Sequence, residues 1–286
     1  MKTEQIDGST RMYAILGDPI SAVRSPSVFN AIFAGRNANA AMLPLHIAAP
    51  DLETAWAGLK TIRNLDGIIL TIPHKTAMYG LVDELGTNGR VVGAVNVVRR
   101  RSDGRWEGDM FDGVGCVQGL KTQGHEVTGR HVFLLGAGGA GSAIATALAQ
   151  AGVKRLVIAD VDTTRRDRVA DRVRSAFPAI KIEVGSIEQG PFDIAINATP
   201  VGMKDGDPLP FDPTQLPATT LIVDVIVKPE FTLLLKTAEK TGHAIQPGKH
   251  MHQGQVNAIA EFFGFELDRQ ANEPSADLYD YGQLRF

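Results

Sequence analysis

His131-Val-Phe-Leu-Leu-Gly-Ala-Gly-Gly-Ala-Gly-Ser142 is the stretch on which the fold turns. Val132 to Leu135 are apolar without alternation, the pattern of a parallel strand covered on both faces. Gly136-x-Gly138-x-x-Gly141 follows at once. Beyond it, Ala140, Ile144, Ala147, Leu148 and Ala151 recur at the spacing of one helix face. Strand, glycine turn and helix in that order form a dinucleotide-binding unit. Gly136 permits the tight turn, Gly138 lets a pyrophosphate approach the backbone, and Gly141 lets the helix pack close to the strand. The pyrophosphate is expected on the N–H groups of the helix N-terminus, so Ala137, Gly139 and Ala140 join the cofactor-binding candidates.

Arg155 to Ala159 reads as the next strand, ending at Asp160. This acid lies 19 residues beyond Gly141, where a carboxylate can accept from the ribose 2′-hydroxyl. Asp162 adds a second negative charge. A 2′-phosphate would meet both carboxylates, and like charges in a partly desolvated pocket are costly. NAD is therefore expected in preference to NADP. Arg165 and Arg166 argue the other way, since an arginine here can hold a phosphate; their alternative reading is exposed charge on a surface helix. Further strands are expected at 180–184, 192–197, 221–227 and 243–246, with helices at 167–176 and 232–241. This βαβ series predicts a doubly wound, parallel Rossmann sheet. Asp207 to Pro213 is rich in proline and reads as a surface loop.

The N-terminal half also alternates strands and helices. Strands are expected at 11–17, 43–47, 67–73, 91–98 and 106–110. Ser25-Pro26 fits an N-cap followed by proline at the first helical position. Leu52, Ala55, Trp56, Leu59 and Ile62 keep helical spacing, which makes Trp56 a core residue. The expected class is α/β, with an N-terminal substrate-binding domain (1–113 plus 249–286) and a dinucleotide-binding domain (114–248).

Composition narrows the function classes. The 286 residues include 30 glycines, one cysteine and a net charge of −3. A nucleic-acid partner would need a clustered basic excess, which is missing. Arg99, Arg100, Arg101 and Arg105 surround Asp103-Gly104 and read as a solvated hairpin tip. Cys116 can form no intrachain disulfide and reads as a packed small residue. His74, His250 and His252 have no third ligand at useful spacing, so no metal is expected. Val132 to Gly152 is uncharged and long enough to mimic a membrane span, but five glycines favour strand, turn and helix. No membrane partner and no signal segment are expected, and a cytoplasmic setting is the default.

Hydride transfer from a secondary alcohol also needs a proton acceptor for the hydroxyl. Lys75, in Thr71-Ile-Pro-His-Lys75, and Asp112, in Gly108-Asp-Met-Phe-Asp-Gly113, are the candidates outside the glycine turn. At these segments the chain resembles the shikimate dehydrogenase family. The resemblance runs nearly end to end, through Gly17-Asp-Pro-Ile20 with Ser25-Pro26, Gly93-Ala-Val-Asn96 and Asn197-Ala-Thr-Pro-Val-Gly-Met203. It continues in Asp224-Val225 and Gly248-x-x-Met251-x-x-x-Gln255. It implies that Lys75 and Asp112 are a catalytic pair, and that Ser25, Thr71, Asn96 and Gln255 bind substrate. It also implies that Asn197, Thr199, Met203 and Gly248 belong with the cofactor site.

Departures from the family pattern cluster at substrate contacts. The first serine of Ser-x-Ser-Pro is Val23, with Arg24 either replacing its bond or simply exposed. An asparagine has become Ile69, Asn-Thr-Asp has become Met110-Phe111-Asp112, and a tyrosine has become Val227. The usual Asn-Arg-Thr is Asp160-Val161-Asp162, in accord with NAD. The resemblance thus implies a divergent dehydrogenase, monomeric or homodimeric, acting on shikimate or a related ring carboxylate such as quinate or aminoshikimate. The alternative is a catalytically weak sensor of NAD or shikimate-type ligands.

Overall fold

The computed structural model describes residues 6–21 and 23–265. They divide into two compact units, 6–110 with 259–265, and 111–258.

The first unit holds β1 (Arg11–Gly17), α1 (Ser25–Gly35), β2 (Ala40–His46), α2 (Leu52–Leu59), β3 (Leu65–Leu70), α3 (Lys75–Tyr79), β4 (Glu84–Leu85), α4 (Thr87–Val92), β5 (Val97–Arg100) and β6 (Trp106–Asp109). Its strands lie in the order β2-β1-β3-β5-β6-β4. β1 is parallel to β2 and β3, and β5 is antiparallel to β3 and β6. Strand alternation sends Ala14, Leu16, Ile68, Leu70 and Val98 into one core with Trp56 and Trp106. The two indole rings meet edge-on at 5.0 Å. Tyr13, on the other face of β1, meets Phe33 and Phe263.

Three expectations for this unit need correction. Ser25 is the first residue of α1, and the cap position falls to Arg24, whose side chain does not cap the helix N–H groups. Val91 and Val92 are helical. Asp109 Oδ1, reaching over from β6, accepts the Gly89 N–H at 2.5 Å, and Gly93, at φ 76°, ends α4. That cap from a neighbouring strand outweighs the local β-branched signal. The arginine run is largely anchored. Arg99 pairs with Glu107 at 2.8 Å and covers the Phe262 ring. Arg100 donates to the carbonyls of Lys60, Ile62 and Leu65. Arg101 and Arg105, at the turn itself, pair with Glu84.

The second unit holds α5 (Asp112–Thr122), β7 (His131–Leu135), α6 (Gly139–Gln150), β8 (Arg155–Ala159), α7 (Thr163–Ala176), β9 (Lys181–Val184), β10 (Ile194–Asn197), β11 (Leu221–Asp224), α8 (Leu233–Lys240), β12 (Ile245–Gln246) and most of α9 (Lys249–Phe262). The six strands are parallel, in the order β12-β11-β10-β7-β8-β9. Strand order reverses at β7 and β10, which sets a ligand crevice at their carboxyl ends. The apolar window from Val132 is β7 plus α6, and among the described residues no helix is long and apolar enough to cross a membrane. The proline-rich loop is less exposed than expected, because Phe211 is buried against Phe133.

Glycines on α5 bring three helices together. A Cβ on Gly113 would lie 1.9 Å from the Ala143 carbonyl oxygen of α6. On Gly115 and Gly119 it would lie 2.6 Å and 2.5 Å from the carbonyl oxygens of Met251 and His250. Gly254 answers from α9, at 2.4 Å from the Gly115 carbonyl oxygen. Backbone therefore packs on backbone. This contact holds residues 249–258 in the second unit, so the division falls at 258/259, whereas the sequence reading sets it at 248/249. The first division falls at 110/111 and not at 113/114.

Gly115→Ala should lower stability by about 1–3 kcal/mol through overpacking. Gly58→Ala, in α2 with nothing within 4 Å of its Cβ position, should raise it by up to ~1 kcal/mol. Urea denaturation of the two variants reads the opposite signs.

Candidate functional site

In the first unit, Ser25, Thr71, Lys75 and Asn96 lie at one end of the sheet, after β1 and β3 and before β5. Thr71 leaves β3 with its N–H on the Leu16 carbonyl at 2.9 Å. Gly17 makes room for it: a Cβ there would sit 2.4 Å from Thr71 Cγ2. Lys75 opens α3, and its carbonyl accepts the Val95 N–H at 3.0 Å. Asn96 is 1% exposed. Its carbonyl accepts from Leu70 at 2.7 Å and its N–H donates to Asp109 at 3.0 Å. Since β5 is antiparallel, its amino end lies at the carboxyl ends of β1 and β3. Ser25 opens α1, which follows β1. Ile69 is on the Thr71 side of β3 and buried. His74 is buried, with Nε2 2.8 Å from the Ile47 carbonyl, so it serves as a held polar group.

In the second unit, the glycine turn has the geometry that a dinucleotide needs. Gly136 has φ 107°, and a Cβ there would lie 2.8 Å from the Ala198 carbonyl oxygen. A Cβ on Gly141 would lie 1.9 Å from the Gly136 carbonyl oxygen. Gly138 and Gly139, by contrast, have nothing within 4 Å of theirs. The first intrahelical bond of α6 runs from the Ser142 N–H to Gly138 at 2.8 Å. The N–H groups of Gly139, Ala140 and Gly141 precede it, where a helix offers no internal acceptor. An open cradle at these N–H groups fits a pyrophosphate. Ala137 differs: its N–H donates to Asp160 Oδ2 at 2.6 Å.

Asp160 is more enclosed than its motif suggests. Besides Ala137, it accepts from the Asp162 N–H at 2.8 Å and from Arg165 Nη2 and Nε at 2.7 and 3.3 Å. Its side chain is 5% exposed. Burial is the largest single influence and pushes its carboxyl up. The Arg165 guanidinium and the two N–H groups together outweigh it and hold the carboxyl below the usual range. Asp162 caps α7 through the Arg165 N–H at 2.9 Å. Reading Arg165 as plain surface charge therefore fails, because it is fastened to Asp160.

Asn197, the last residue of β10, is fully buried. Its amide nitrogen donates to Asp224 Oδ1 at 3.2 Å and to the Val201 carbonyl at 3.1 Å. Its Oδ1 accepts from the Thr199 N–H at 3.1 Å and hydroxyl at 2.7 Å. Asn197 thus shapes the loop, while Met203 at its end is 54% exposed. Gly248 is required by packing, since a Cβ there would lie 2.5 Å from the carbonyl oxygens of Val225 and Ile226. Sequence reasoning missed Thr232, whose hydroxyl donates to Asp224 Oδ2 at 2.8 Å while capping α8. A threonine ahead of Leu233-Leu-Leu235 is the cap signal that could have marked it. At the start of α5, Asp112 Oδ1 accepts from Gln255 Nε2 at 2.6 Å. Both residues belong to the second unit, although Gln255 is assigned to the substrate domain from sequence. Cys116 is buried, which pushes its thiol up to about 12 and makes it an unreactive packing group.

A doubly wound sheet carrying this glycine turn defines a dinucleotide-binding domain. The model of the shikimate dehydrogenase substrate binding domain matches residues 15–98. A second model, of the ThiF family, matches residues 121–167, from the end of α5 into α7. The chain is 34% identical over 274 residues to shikimate dehydrogenase (NADP(+)) of Rubrobacter xylanophilus, covering 94% of this chain and 96% of that one. It belongs to the shikimate dehydrogenase family. Shikimate 5-dehydrogenase from Listeria monocytogenes, solved with shikimate and NAD, superposes with a TM-score of 0.86 at 29% identity, over 92% of this chain and 95% of that one. Ligand-free 5-ketofructose reductase of Gluconobacter superposes with a TM-score of 0.82 at 28% identity, over 91% and 95%. These relatives are enzymes and lend no support to the sensor alternative.

Burial raises the Asp224 carboxyl above its ordinary 3.8, against the bonds from Ile226, Thr232 and Asn197. The folded chain therefore holds this proton more tightly than the unfolded chain. The resulting stabilisation is complete below the ordinary value and is lost as pH rises through the raised one. Asp224→Asn should flatten this fall, and denaturation midpoints measured from about pH 4 upward would read it.

Proposed function

We propose that this chain oxidises and re-forms a secondary hydroxyl on a ring carboxylate of the shikimate type, with NAD preferred to NADP. The observation that carries the proposal is the hydrogen bond of Asp112 with Gln255, two residues 143 positions apart. It presets a carboxylate in a chain that also keeps Lys75, Thr71 and Asn96 at one end of the first unit's sheet, after β3 and before β5. A bound nicotinamide dinucleotide supplies the hydride acceptor. Lys75 orients the reacting hydroxyl and passes on its proton as the C–O bond becomes C=O. Asp112 is its partner, and Gln255 fixes the carboxylate while contacting the ring. Asn96 and Thr71 hold the remaining ring hydroxyls, and Ser25 holds the carboxylate.

The NAD preference rests on Asp160 and Asp162, both acidic where a 2′-phosphate would lie. The Rubrobacter relative is named for NADP(+) and the Listeria structure holds NAD, so family membership leaves this choice to the residues of the β8–α7 turn. Ile69, Val23 and Phe111 make the substrate contacts less polar, which favours a ring with fewer hydroxyls to satisfy.

The test follows reduced-cofactor formation with NAD, and separately NADP, across shikimate, quinate, aminoshikimate and the substrate named for the Gluconobacter neighbour. Turnover should be faster with NAD. Lys75→Ala should cut it by about 10²-fold or more with NAD binding unchanged by calorimetry. Faster turnover with NADP would remove the cofactor assignment, and failure on every ring acid would remove the substrate class.

A further inference from the structure

We propose that the first unit carries a second ligand site, a cleft at the amino ends of β1 and β3 that takes a hydroxylated aromatic carboxylate. The cleft has a volume of about 660 Å³, and its lining includes Arg11, Tyr13, Arg99, Arg100, Phe262 and Phe263. That size is usual for a small-molecule site. It lies away from Thr71 and Asn96. β1 runs from Arg11, at the cleft, to Gly17, beside Thr71, and the six steps of that strand span about 20 Å.

Strand pairing builds the floor of the cleft. Tyr13 pairs with Gly67 across β1 and β3, Gly67 with Arg99 across β3 and β5, and Arg99 with Glu107 across β5 and β6. Directly paired residues share a sheet face. At Gly67 this row has no side chain, and Phe263 takes the space: a Cβ there would lie 2.4 Å from Phe263 Cε1. The Phe263 and Tyr13 ring centres are 4.9 Å apart, and the Arg99 guanidinium lies 4.1 Å from the centre of the Phe262 ring. Both phenylalanines are half-buried, so the cleft has an aromatic wall.

Polar groups set the rest of the ligand. Arg11 is paired with Asp66, Arg99 with Glu107 and Arg101 with Glu84. Among the described residues no carboxylate pairs with Arg100. Its face lies on the Trp106 ring, and its Nε and Nη2 donate to the carbonyls of Leu65, Lys60 and Ile62. Nη1 is left with donors to spare and the charge without a counter-ion, which suits a carboxylate. The Tyr13 hydroxyl has no hydrogen-bond partner among the described residues, and burial, with the Asp66 charge second, keeps its proton on. A ring hydroxyl answers it. An aromatic ring with one carboxylate and one hydroxyl satisfies wall, cation and phenol together.

NMR titration of the full chain with 4-hydroxybenzoate, benzoate, cyclohexanecarboxylate and inorganic phosphate needs neither cofactor nor turnover, so it is independent of the proposed reaction. 4-Hydroxybenzoate should bind with a dissociation constant of about 1 mM or tighter. Arg100→Met should weaken both aromatic acids roughly tenfold, the loss of one charge-assisted contact. Tyr13→Phe should weaken 4-hydroxybenzoate about fivefold and leave benzoate unchanged. Arg100 also anchors the 60–65 turn, so a melting curve accompanies its variant, and the contrast between the two acids in Tyr13→Phe does not depend on it. Thr71→Ala, at the other end of the sheet, should change neither acid. Weakening by Thr71→Ala with none by Arg100→Met would put the ligand at the candidate site and overturn the proposal. Phosphate or cyclohexanecarboxylate binding as tightly as benzoate would overturn it too, as would no saturation by either aromatic acid.

Discussion

Helix α5 can approach its neighbours only where it has no side chains. Gly113 admits the α6 backbone, and Gly115 and Gly119 admit α9, with Gly254 returning the contact. Much else in the second unit depends on this. α6 begins at the dinucleotide turn, so α5 is registered against the cofactor cradle. α9 carries Gln255, so its amide reaches the carboxylate of Asp112 at the first turn of α5. A thicker interface would separate that pair and displace it from the turn together. Close helix packing is thus what converts residues distant in sequence into one arrangement.

A second constraint is the satisfaction of buried polar groups. Asp224 is enclosed at the end of β11 and receives donors from Ile226, Asn197 and Thr232. Leaving any one of them unmade would cost about 1–3 kcal/mol. The loop after β10 is therefore held from inside, and its exposed end at Met203 projects from a fixed base. Asp109 plays a similar part in the first unit. It caps α4 from a neighbouring strand, and its backbone carbonyl holds Asn96.

Period and punctuation made much of this legible in advance. Val132–Leu135, the glycine turn and the Ala-rich helix face could be read because strand, turn and helix each satisfy their needs locally. The same holds for β1, for α2 with Trp56, and for α7. The failures share one cause. Val91 and Val92 favour a strand by propensity, yet they are helical in α4, whose Gly89 N–H is accepted by the distant Asp109 carboxylate. Arg99 and Arg100 look like solvated charge, yet distant carbonyls and an aromatic ring take them up. Phe211 lies among prolines, yet Phe133 supplies a partner.

The candidate site divides along the same line. By itself the sequence determined which residues carry the side-chain chemistry that the proposed reaction calls for: Lys75, Asp112, Asn96, the glycine turn and the acids of the β8–α7 turn. Their types and order carry that information because each chemistry requires a particular side chain. Only the tertiary structure decided how those groups are engaged. It closed Asp160 with Arg165, turned Asn197 inward to brace its loop, and joined Gln255 to Asp112. Hydrogen-bond partnership depends on distances between elements, and no local pattern in the chain encodes those distances.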